Sequence, residues 1–123
     1  MTQETSDAAI EVPRETHAKL GDYVELLLQE NERQNLISRS SVDDVWNRHI
    51  EDSLQLISHL PRDESADIVD LGSGPGLPGL VLAIARPGWT LHLVESRRKR
   101  CDFLLQTSAA LNLENVRVHC SNV

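Results

Sequence analysis

Between Arg14 and Glu30 the apolar residues Leu20, Tyr23, Val24, Leu27 and Leu28 recur at helical spacing and predict one amphipathic helix. Asn31 to Ser40 is polar and reads as a connection anchored by Leu36 and Ile37. Val42, Val45, Trp46, Ile50, Leu54 and Ile57 then share one side of a second helix. Ser41 with Asp44 is a weak form of capping box that would start it, and Pro61 stops it. Past the charged linker Arg62–Ser65 the period changes. Ala66–Leu71 is a short apolar run entering a glycine-rich turn, which suits a buried strand. Pro78–Ala85 predicts a helix with Pro78 in its first turn, Thr90–Val94 a strand, Arg97–Leu111 a helix and Val116–Cys120 a third strand. Strand and helix alternating at this spacing require right-handed crossovers, so the fold class is α/β with a parallel sheet. The expected organisation is a disordered tail over 1–13, a helical cap over 14–61 and the strand–helix unit over 62–123, divided near Arg62.

Composition changes this picture little. The 123 residues carry a net charge of −7, which argues against a surface basic all over but not against a local basic patch. Aromatics make up 3%, so the core must be built from Leu, Ile, Val and Ala. Cys101 and Cys120 have no metal-ligand spacing and no framework of pairs, and are expected to be reduced thiols in a cytosolic protein. The polar, acidic start predicts no signal peptide, and no stretch approaches the roughly 18 apolar residues of a membrane helix.

The segment Asp70-Leu71-Gly72-Ser73-Gly74-Pro75-Gly76-Leu77-Pro78-Gly79 follows the first strand. Gly72, Gly74 and Gly76 would let a ligand lie on the backbone, and the helix that follows would offer free N–H groups to an anion. Glu95 closes the second strand, where an acid accepts hydrogen bonds from ribose hydroxyls. Gly74 to Gly79 literally satisfies a dinucleotide fingerprint, but two residues late for the strand end. Counted from Gly72, with an acid two residues earlier, the register is that of an S-adenosylmethionine (SAM) loop. A triphosphate loop is excluded because Leu80 stands where a lysine is required. A dinucleotide and a purely structural turn remain open alternatives.

Several ordered motifs narrow the choice. Trp46-Asn47-Arg48-His49-Ile50-Glu51-Asp52-Ser53-Leu54 resembles the Arg-His-(Ile/Phe)-x-Asp-Ser segment of the bacterial RsmG/GidB family. Asn31 to Asn35 with Leu36 and Ile37, the loop Gly72–Gly79, Glu95-Ser96, and Lys99-Arg100 with Phe103-Leu104 are similar to the same family. The resemblance implies a Rossmann-like class I SAM-dependent methyltransferase fold, strands ordered 3-2-1, with a helical cap. It implies methylation of N7 of a guanine in 16S ribosomal RNA, free or in the small ribosomal subunit, by a cytoplasmic protein expected to be monomeric when complete, without metal or membrane. The expected cofactor residues are Asp70, Gly72, Ser73, Gly74, Gly76, Leu77, Pro78, Glu95, Ser96 and Val123. Guanine N7 carries an in-plane lone pair, so no general base is needed and alignment can carry catalysis. No catalytic dyad is expected.

Arg48, His49 and Asp52 share one helical turn. A plain Arg48–Asp52 pair beside a half-buried histidine competes with a role in binding RNA or ordering the pocket. Arg97, Arg98, Lys99 and Arg100 oppose the dipole at a helix start, which suggests a use for them on RNA phosphates. Trp46 and Trp89 read as packing residues. Relatives of this pattern carry further strands, so residues 62–123 are expected to be the first half of the cofactor domain, with the first strand left as a hydrophobic edge. Weak SAM binding and little methyl transfer are expected of this chain alone. The competing functions are an inactive SAM- or RNA-binding module and a nicotinamide-dependent oxidoreductase.

Overall fold

A computed structural model describes residues 12–61 and 63–122. Helix α1 spans Arg14–Asn31 and turns Leu20, Tyr23 and Leu27, all fully buried, into the core. Burying each of these side chains stabilises the fold by about 1.5–3 kcal/mol. Asn31 ends the helix with its side chain: Oδ1 accepts the Leu36 and Ile37 N–H groups at 2.8 and 2.9 Å. That bond pair folds the connection back and seats Leu36 in the core.

The second helical segment is less regular than its pattern predicts. It runs as a 3₁₀ turn (Arg39–Asp44), a π turn (Trp46–Ile50), a short helix α2 (Glu51–Gln55) and a closing 3₁₀ turn (Leu56–His59). The expected capping box does not form. Ser41 lies inside the first turn, its hydroxyl shared with Ser38 at 2.8 Å, while Asp44 accepts from Asn47.

Strands β1 (Asp67–Leu71), β2 (Thr90–Glu95) and β3 (Val116–Cys120) form one parallel sheet with β2 in the centre. Helix α3 (Gly79–Ala85) crosses from β1 to β2, and α4 (Arg98–Ala110) from β2 to β3. The predicted 3-2-1 order is the one found. Leu91 and Leu93 of β2 face the helices and are fully buried, and one continuous core joins them to α1, α3 and α4. β1 is not a buried strand. With a single neighbour it leaves Val69 and Leu71 58% and 62% exposed, the hydrophobic edge expected of this order. At the opposite end of the sheet Trp89 is fully buried and donates Nε1–H to the Asp63 carbonyl at 2.9 Å.

Two expectations change here. Cys101, in the first turns of α4, and Cys120, closing β3, are joined in a disulfide rather than free. Both segments flank the C-terminal end of β2, which brings their side chains together. Of the expected tail, residues 1–11 lie outside the described residues, but Val12 packs on the core and the Pro13 carbonyl accepts the His17 N–H. The proposed boundary residue Arg62 lies outside the described residues as well. Among the described residues no helix is long and apolar enough to cross a membrane.

Candidate functional site

The C-terminal ends of β1 and β2 carry the glycine loop, the position at which open parallel sheets bind ligands. Gly72 leaves β1 with φ +72°, and the N–H groups of Gly72 and Ser73 both reach the Val94 carbonyl, at 2.8 and 3.1 Å. The loop therefore stays attached to β2 as it turns. A Cβ at Gly72 would meet nothing within 4 Å, so the backbone there borders open space. Gly76, at φ +95°, is different: a Cβ would run into the Leu80 side chain, with Cγ at 2.7 Å. A Cβ at Gly79 would strike Leu93 and the Asp70 carboxylate. Gly76 and Gly79 are thus required by the protein's own packing. Of the loop glycines, Gly72 fits the expected open cradle best.

The two acids fasten this loop. Glu95 is 4% exposed; its Oε1 accepts the Gly74 N–H at 2.8 Å and its Oε2 the Arg97 N–H at 2.9 Å. Burial pushes this carboxyl up. The amides of Arg97 and Gly74, the Arg100 guanidinium and the Ser96 amide outweigh burial and hold it below the usual glutamate range. Asp70 accepts the Gly79 N–H through Oδ2 at 3.1 Å. Burial raises its carboxyl, the Gly79 amide and Ser73 oppose that, and the nearby Glu95 charge adds to it. Two carboxylates beside one open backbone turn form a negative seat suited to a cationic ligand group.

Two details correct the simple picture. The start of α3 is not free for an anion, because Gly79 N–H is held by Asp70 and Leu80 N–H by the Gly76 carbonyl at 2.7 Å. Pro78 stands one position before α3, behind a cis Leu77–Pro78 bond, and its carbonyl accepts the Leu82 N–H. Leu77 is half-buried and packs on the core. Ser96 is exposed beside Glu95. Val123 lies outside the described residues.

Arg97, Arg98, Lys99 and Arg100 line a cavity of about 520 Å³ with Gln34 and Asn35. Gln34 Nε2 donates to the Lys99 carbonyl at 3.2 Å and Arg100 Nη2 to the Asn35 carbonyl at 3.4 Å. Arg98 also pairs with Asp102. The dipole of α4 is met at its start by the Glu95 carboxylate, so the basic run is less uncompensated than its order suggests. Gln34 and Asn35 were not among the expected site residues; only their place in the Asn31–Asn35 motif marked them.

Arg48, His49 and Asp52 are not joined to the loop by any hydrogen bond or ion pair among the described residues. The alternative Arg48–Asp52 pair is absent among the described residues, and both side chains are exposed. The wide π turn brings residues five apart together, as Trp46 Nε1 donating to Glu51 Oε2 at 3.2 Å illustrates. His49 keeps a buried Nε2 without a hydrogen-bond partner.

Comparison with known proteins agrees with the geometry. A family model described as GidB, rRNA small subunit methyltransferase G, matches residues 16–123. A relative named ribosomal RNA small subunit methyltransferase G from Sphingopyxis alaskensis is 49% identical over 106 residues, covering 85% of this chain and 44% of its own length. One of the same name from Erythrobacter litoralis is 53% identical over 95 residues, covering 77% and 45%. The chain spans about half the length of the curated relatives it matches. Among solved structures, coclaurine N-methyltransferase bound to N-methylheliamine and SAH superposes with a TM-score of 0.57 at 14% identity, covering 97% of this chain and 42% of that one. The fold is that of the class I SAM-dependent methyltransferases.

Proposed function

The chain belongs to the GidB family, rRNA small subunit methyltransferase G, and on that premise we propose that its protein transfers a methyl group from SAM to N7 of a guanine in 16S ribosomal RNA. The observation that carries this reading is the Asp70–Gly72–Glu95 constellation, an open glycine turn flanked by two acids at the strand ends. SAM supplies a methyl group on a cationic sulfonium. Its α-ammonium and sulfonium charges suit the negative seat, and the open face at Gly72 suits a ligand laid on backbone.

In this reading Asp70 holds the amino-acid end, Gly72, Ser73, Gly74, Gly76, Leu77 and Pro78 shape the cradle, and Glu95 with Ser96 takes the ribose. Glu95 does so while still clamping Gly74 and Arg97, since a carboxylate has about four acceptor sites and two are used. Arg97, Lys99 and Arg100 neutralise RNA phosphates at the mouth of the cavity. Arg48, His49 and Asp52 order the pocket or meet RNA. Residues 14–61 serve as a cap on the cofactor domain begun by residues 62–123. Because guanine N7 needs no deprotonation, the protein's task is to align nucleophile, methyl carbon and leaving sulfur. The substrate is 16S RNA or the small ribosomal subunit, met as a monomer in the cytoplasm, and no metal is called for.

Labelled SAM incubated with the intact protein and small-subunit RNA tests this. Label recovered in 7-methylguanine is the expected result. Label at another base, or none while SAH still binds, overturns the reading in favour of a binding module. An oxidoreductase predicts protection by NAD and none by SAH.

A further inference from the structure

We propose that Tyr23 is a positioning residue for the glycine loop, so that the N-terminal helix sets the cofactor affinity of a site it does not itself line. The inference rests on reading the loop as the SAM site. Tyr23 is fully buried in the middle of α1, and its hydroxyl donates to the Pro75 carbonyl at 2.6 Å, across 52 residues of sequence. Pro75 is at the crown of the loop, between Gly74, which Glu95 holds, and Gly76, which Leu80 crowds. Ser73, Gly74 and Gly79 are fastened to the sheet or its acids, by Ser73 Oγ to the Asp70 carbonyl, Gly74 N–H to Glu95 and Gly79 N–H to Asp70. The crown gains its long-range hydrogen bond from α1.

The chemistry of the phenol suits the task. Burial and the neighbouring Asp70 charge keep the Tyr23 hydroxyl protonated far above the pH range of the cell, so it is a permanent donor. A rigid donor under the loop keeps the ligand-competent conformation populated, and apparent affinity scales with that population.

Glycine-selective 15N labelling tests the idea directly, because the chain has six glycines and three of them, Gly72, Gly74 and Gly76, report on the loop. SAH is titrated into the full chain and into Tyr23→Phe, which removes only the hydroxyl. We expect Kd to rise about five- to tenfold, the effect of one lost hydrogen bond. The Gly74 and Gly76 resonances of free Y23F should shift or broaden while Gly21, on α1 itself, and Gly88 do not. Leu27→Ala, which removes packing from the same helix face, should lower the melting temperature and leave Kd unchanged. Equal Kd values and unchanged loop resonances in Y23F overturn the proposal. Loop glycines of the unsubstituted chain that ignore SAH overturn the cofactor reading instead, and the free-state spectra still judge the Tyr23–loop link. Should Y23F not fold, 19F NMR of the fluorotyrosine-labelled chain gives the second measurement, since Tyr23 is its one tyrosine. Its resonance must move on SAH binding, and a static signal refutes the coupling.

Discussion

Replacing Glu95 by Gln changes one oxygen to an amide group and nothing else in size, yet the structure assigns it a large effect. Both carboxylate oxygens accept backbone N–H groups, Gly74 at 2.8 Å and Arg97 at 2.9 Å, in a site almost closed to water. Glutamine can serve one of these donors; its NH₂ then faces the other. One charge-assisted bond is lost and the survivor is weakened, a cost of about 2–4 kcal/mol when each such bond is worth about 1.5–3 kcal/mol. Urea unfolding followed by the fluorescence of Trp46 and Trp89 measures it. With a slope of about 1–2 kcal/mol/M for a chain of this size, the midpoint should fall by roughly 2 M at an unchanged slope. The pH dependence supplies a second check. Glu95 has a folded pKa below its unfolded value, so its stabilisation is full above the ordinary glutamate range and is lost as pH falls through the lowered folded value. The gap between the unsubstituted chain and E95Q should be constant from about pH 6 to 8 and close below about pH 4. A difference under about 0.5 kcal/mol at neutral pH, typical of a surface substitution, would refute the clamp. So would a gap that widens in acid.

The two ends of the glycine loop should respond differently to alanine. Gly76→Ala meets both a positive φ and the Leu80 side chain and should lose about 2–4 kcal/mol in the same urea assay. Gly72→Ala pays only for its φ, about 1 kcal/mol, but should weaken SAH binding at least tenfold by calorimetry, because its methyl group enters the open cradle. Asp70→Asn should leave stability at pH 7 unchanged or slightly higher, since the buried carboxyl is held above its ordinary pKa and its ionisation opposes folding there. That relief grows as pH rises through the folded pKa, while SAH affinity should drop sharply, and a stability loss equal to that of E95Q would contradict it. Neutralising Arg97 and Lys99 to Gln should weaken RNA binding across sequences and reduce the slope of log K against log salt by about 1.4–2, read by filter binding at several ionic strengths.

Much of the fold was legible because it is written at short range. The change from a helical apolar period to a short apolar run at Ala66, the glycines after β1 and the acid closing β2 all sit within one or two elements of each other. Parallel order then follows from chain handedness rather than from any particular side chain. The irregular second helix was not legible. Its apolar spacing fits an ordinary helix, and the π turn at Trp46–Ile50 is visible only in the backbone path. Cys101 and Cys120 carry no pairing signal in their spacing; the approach of α4 and β3 around the end of β2 joins them.

The sequence alone determined which residues stand at the strand ends: Asp70, Gly72 and Glu95, placed there by local periodicity and glycine's tolerance of positive φ. Tertiary structure decided what those residues do in the folded chain. It committed Glu95 to two amides and Asp70 to a third, made Gly76 and Gly79 packing requirements, and brought Tyr23 and Asn35 to the loop and its basic neighbour. The physical reason is one of range. Backbone preference acts over a few residues, whereas a hydrogen bond across 52 residues exists only once the core has packed.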